Sequence, residues 1–82
     1  MHIAGVLVQT RPEHVPALSA RLAGVRGLEI HHTEADGRMV VTIEGLSRRD
    51  VAEALASLQT LDGVLAASLV YETSDFEPLE AL

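Results

Sequence analysis

Near the C-terminus, Gly63-Val64-Leu65-Ala66-Ala67-Ser68-Leu69-Val70-Tyr71-Glu72 runs without proline and without charge before its last residue. A run of this length, opening at a glycine and carrying Val and Tyr, fits a buried strand better than a helix. A second stretch is in step with it. Ala4-Gly5-Val6-Leu7-Val8-Gln9-Thr10 repeats the order small, small, large, large, large, polar, Thr seen in Ala67 to Thr73. Two strands of one pattern are expected side by side at the heart of a sheet, and the rest of the chain must be wound around them.

Between them the periodicity alternates. Strand character over Ile3 to Thr10 breaks at Arg11-Pro12-Glu13, and Val15, Leu18 and Leu22 then recur at helical spacing over about 13 to 24. Pro12 and Pro16 lack donors, which a first helical turn tolerates, and Gly24 and Gly27 bracket the exit. Leu28 to Ala35 reads as a second strand, Asp36-Gly37 as a two-residue turn, and Arg38 to Gly45 as a third strand. Ser47, with Asp50 three residues on, predicts a capped second helix carrying Val51, Leu55 and Leu58 on its apolar stripe and ending at Asp62-Gly63. Ala52, Ala54 and Ala56 would let that helix lie close to the sheet.

The order β-α-β-β-α-β predicts an α+β, ferredoxin-like split βαβ fold: a four-stranded antiparallel sheet with two helices on one face. Residues 1–73 are expected as one domain, and 74–82, with Asp75, Glu77, Pro78 and Glu80, as a flexible acidic tail. Eighty-two residues suffice for one modest core.

Charge and composition exclude several functions. Six Arg, no Lys and twelve acids give a net charge of −6, which repels phosphate backbones and anionic lipid, so neither nucleic acid nor membrane insertion is expected. With no Cys, thiolate chemistry and disulfides are out. The start Met1-His2-Ile3 has no basic segment ahead of an apolar one, so a cytoplasmic protein is expected. His31 and His32, as strand neighbours, are expected on opposite faces and unable to share a metal. No phosphate loop and no nucleophile grouping is present, so no cofactor, metal or catalytic residue is expected. Among proteins of this shape, copper chaperones need Cys-x-x-Cys, RNA-recognition sheets need exposed aromatics, and acylphosphatase needs an Asn that this chain lacks.

With helices on one face only, strand alternation sorts the residues. Leu28, Ile30, Met39, Val41 and Ile43 are expected inward, with Ala4, Val6, Val8, Ala67, Leu69 and Tyr71 beside them. The open face is then expected to carry Gly5, Leu7, Gln9, Glu29, His31, Thr33, Val40, Thr42, Glu44, Ser68, Val70 and Glu72. An apolar centre edged by carboxylates suits an interaction surface, although strands of this fold often carry Val and Leu on both faces.

The two matched stretches, Ile3 to Gln9 and Gly63 to Tyr71, taken with the βαββαβ order, resemble the NapD family, the small cytoplasmic chaperones of the periplasmic nitrate reductase catalytic subunit. The likeness spans residues 2 to 72. It implies that the chain binds the twin-arginine signal peptide of the nitrate reductase precursor and holds back export until cofactor insertion is complete. On that reading, Leu7, Val40, Thr42, Ser68 and Val70 receive the apolar part of the peptide, with Gly5 and Gln9 also among the peptide-binding residues. Glu29, Glu44 or Glu72 meets the arginine pair. A monomer is expected, a weak dimer being possible; the alternative is a regulatory or ligand-sensing domain working as a homodimer.

Overall fold

The computed structural model describes residues 1–74; from residue 75 on, the expected tail lies outside the described residues. The elements are β1 His2–Gln9, a 3-10 turn Pro12–His14, α1 Val15–Ala23, β2 Leu28–Thr33, β3 Arg38–Gly45, α2 Arg48–Thr60 and β4 Ala66–Ser74. All strand pairings are antiparallel, in the order β2-β3-β1-β4, which is the ferredoxin-like arrangement. β1 is central as expected, but β4 is an edge strand, so the most apolar stretch of the chain is not at the heart of the sheet.

Core and helices follow the apolar spacing. Leu18 and Leu22 of α1 and Val51 and Leu58 of α2 are buried against Ala4, Val6, Val8, Met39, Val41 and Ile43, with Leu55 and Ala54 partly buried beside them. Ala52 and Ala56 face solvent instead. The prolines divide the first helical segment: Pro12 opens a single 3-10 turn and Pro16 sits in the first turn of α1. α2 stops at Thr60, two residues early, because Leu61 turns to extended backbone. Its start is as predicted, with the Ser47 hydroxyl accepting from the Asp50 N–H at 3.2 Å. Ser47→Ala should therefore cost about 1 kcal/mol, read as a fall in melting temperature of roughly 5 °C.

The hairpin is wider than a two-residue turn. The Glu34 N–H donates to the Arg38 carbonyl at 2.7 Å and the Gly37 N–H to that of Glu34 at 3.1 Å, leaving Ala35, Asp36 and Gly37 in the loop. This is the three-residue connection in which a left-handed glycine, here at φ 97°, follows a turn. Thr10, 2% exposed, ties that loop to the α2–β4 connection at the same end of the sheet: its N–H donates to the Gly37 carbonyl at 2.9 Å and its hydroxyl to that of Gly63.

Both edge strands carry one residue too many. Ile30 pairs with Val41 and His32 with Val40, leaving His31 unpaired; Leu69 pairs with Val6 and Tyr71 with Gly5, leaving Val70 unpaired. The two halves match rung by rung: Leu28↔Ile43, Ile30↔Val41 and His32↔Val40 correspond to Ala67↔Val8, Leu69↔Val6 and Tyr71↔Gly5. Each bulge inverts the alternation beyond it.

Candidate functional site

The face free of helices is built on β1 and β3. Val6, Val8, Val41 and Ile43 lie in the core, so their strand neighbours Gly5, Leu7, Gln9, Val40, Thr42 and Glu44 face the other way. Glu29, opposite Thr42, and Ser68, opposite Leu7, join them. The sheet thus brings together eight of the ten residues assigned to this surface from the sequence. Val70, the extra residue of the β4 bulge, opposes no β1 position and is 67% exposed.

Glu72 and Tyr71 exchange places relative to expectation. The bulge at Val70 shifts the register so that Glu72 stands opposite the buried Ala4, on the helix side, where its carboxylate meets the Arg48 guanidinium of α2 at 3.4 Å. Glu72 is therefore not among the open-face carboxylates. Tyr71, expected inward, stands opposite Gly5 on the open face, half exposed, with its ring over the glycine; any Cβ at residue 5 would collide with the ring atoms. A glycine inside a strand is the signal that marked this close approach. Thr33, expected outward, pairs with the buried Met39 and turns to the helix side, for the same reason on β2.

The histidines are corrected likewise. His32 pairs with Val40 on the open face, and the bulged His31 puts its Nε2 2.7 Å from the Thr42 hydroxyl, so both rings share that face. His32 lies 3.4 Å from the Glu34 carboxylate. Among the described residues, no group of three or more metal-binding side chains gathers.

The resulting surface has an apolar centre, with Leu7 half-buried and Val40 and Tyr71 exposed, and a polar margin. Arg38 at one end is engaged by Asp36 at 2.8 Å, while among the described residues Glu29 and Glu44 have no ion-pair partner. The face can receive an apolar segment along its middle and a cation at its edge. No helix among the described residues is long and apolar enough to cross a membrane.

The comparisons agree with this fold. The family model described as NapD protein matches residues 1–76. The chain is 28% identical to Chaperone NapD of Paracoccus pantotrophus over 72 residues, 88% of this chain but only 63% of that protein's length. It is 29% identical to Chaperone NapD of Haemophilus influenzae, over 90% of this chain and 81% of the relative, and 27% identical to that of Escherichia coli, over 89% and 85%. The solution structure of the E. coli Tat proofreading chaperone protein NapD superposes with a TM-score of 0.80 at 27% identity, covering 89% of this chain and 78% of that one. A match over nearly the whole described domain, in sequence and in three dimensions, places the chain in the NapD family.

Proposed function

We propose that the open sheet face binds the twin-arginine signal peptide of a periplasmic nitrate reductase catalytic subunit precursor, in the cytoplasm, and holds back export until the enzyme's cofactors are in place. The chain is a chaperone of the NapD family and not an enzyme. The observation that carries the finer reading is the open face itself: Leu7, Val40 and Tyr71 along the middle, Glu29 and Glu44 at the margin without ion-pair partners among the described residues. An apolar peptide segment gains by leaving water on such a strip, and arginines gain from carboxylates they can engage with two parallel hydrogen bonds. While bound, both parts of the peptide are hidden from the export machinery.

Magnitudes favour reversible capture. Roughly 400 Å² of apolar area taken from water is worth about 10 kcal/mol at 25 cal/mol per Å², association costs remove about 4, and charge-assisted pairing of the arginines returns about 2, leaving affinity near the micromolar range. Calorimetric titration with a synthetic peptide carrying an Arg-Arg pair ahead of an apolar stretch should give one-to-one binding in that range. No heat at tens of micromolar, with circular dichroism showing the fold intact, would refute the reading. A mass in solution corresponding to two chains, unchanged by peptide, would point to the homodimeric alternative.

A further inference from the structure

Gly5 and Tyr71 make one unit on the open face. Gly5 is buried although it lies on that face, because the Tyr71 ring covers it. Ile3 and Leu7, two residues to either side on β1, share the face and are each half-buried. Residues two apart on a strand stand about 7 Å from each other, so the glycine between them leaves a gap wide enough for a ring. The bulge at Val70 delivers that ring, since without the extra residue the alternation would carry Tyr71 to the helix side. Ile3, Tyr71 and Leu7 then form one apolar line, and the ring, half exposed, is its most accessible member.

We infer that Tyr71 is the specificity-determining residue for the apolar stretch of the bound peptide, an aliphatic side chain of leucine size lying on its ring, and that Gly5 is the positioning residue that holds the ring there. The inference rests on the open-face reading above. Tyrosine suits the task because it offers a large apolar contact at a low ordering cost and a stiff shape against which a side chain can pack. An aliphatic occupant is selected by the surroundings: the acid nearest in β4, Glu72, is turned to the helix side and bound to Arg48 at 3.4 Å, while Glu29 and Glu44 stand on β2 and β3. Gly5 acts only through the ring. Its backbone needs no left-handed conformation, but a Cβ there would occupy the space that the ring atoms fill.

The chain has one Tyr and no Trp, so tyrosine emission reports this ring. With a synthetic peptide of Arg-Arg followed by leucines and alanines, which does not itself emit, acrylamide quenching of that emission should fall by about half or more at saturation, as the contact excludes water. By calorimetry Tyr71→Ala should weaken binding about tenfold, and Tyr71→Phe should stay within about twofold of wild type, because the ring makes the contact and the hydroxyl does not. Gly5→Ala should cost about tenfold in the wild-type chain and nothing further when added to Tyr71→Ala. Replacing the peptide's leucines by alanine one at a time should find one whose loss costs about fivefold with wild type and nothing with Tyr71→Ala. If Gly5→Ala fails to fold by circular dichroism, the quenching and the leucine scan decide. Unchanged quenching, or leucine losses that add to the Tyr71→Ala loss, would show a ring that only covers Gly5 for the sheet's sake and overturns the inference while face binding stands. A wild-type chain that gives no heat with the peptide removes the face reading and this one with it.

Discussion

Replacing Gly37 by valine is expected to cost about 3 kcal/mol of folding stability and to lower the melting temperature by roughly 15 °C. Two effects add. At φ 97° the backbone is left-handed, which a β-branched residue adopts only at a cost of about 1–2 kcal/mol. In addition, a Cβ there runs into the Thr10 carbonyl oxygen, which belongs to the backbone and cannot swing away. Relieving that clash pulls the hairpin off β1 and stretches the bond from the Thr10 N–H to the Gly37 carbonyl, worth about 1 kcal/mol. Gly24→Ala is the control, since Gly24 has φ −87° and a Cβ there would lie 3.4 Å from the Arg21 carbonyl oxygen, an ordinary contact. Thermal unfolding of the two variants separates the cases; equal melting temperatures would show that the loop does not need its glycine.

Val40→Asp should weaken peptide binding roughly 100-fold while sparing the fold. Val40 is 43% exposed in the middle of the open face, opposite Leu7 and His32, so its change to Asp leaves the core untouched. The fold loses at most about 1 kcal/mol of strand preference. Binding loses the apolar contact and must cover a carboxylate at the centre of the strip, a combined penalty of about 3 kcal/mol or more, hence roughly 100-fold in affinity. The sign is informative. A face that captured peptides by charge alone would bind an arginine peptide more tightly once another carboxylate was added. Calorimetry showing tighter binding by the variant would thus reject the apolar strip.

The element order, the hairpin's inward residues and the Ser47 cap were legible because each rests on local spacing or local chemistry. What was not legible is the register of β4. Its likeness to β1 suggested that residues in step would share a face, which holds for Ala67 and Leu69 but fails at Tyr71, because Ala4 stands opposite Glu72. Above Val70 the alternation reading is correct, since Ala67 and Leu69 oppose the buried Val8 and Val6; beyond Val70 it inverts. A bulge adds one residue and changes no composition, so hydropathy alone leaves no mark of it. The same inversion turned His32 to the open face. Apolar content also misplaced β4 at the centre of the sheet, because a strand with Leu69, Val70 and Tyr71 exposed is unusual at an edge.

That exposure is tolerable because of the paired bulges. An edge with free N–H and C=O groups and several bare apolar side chains is a template on which further chains can stack, strand upon strand, into fibres. Such growth needs a flat, evenly spaced ladder. On this molecule both outer strands bulge beside the central Ile30–Val41–Val6–Leu69 rung, His31 on one side of it and Val70 on the other, so neither offers one. The domain can keep a sticky surface in working order at high concentration because its borders are bent out of the shape that polymerisation requires.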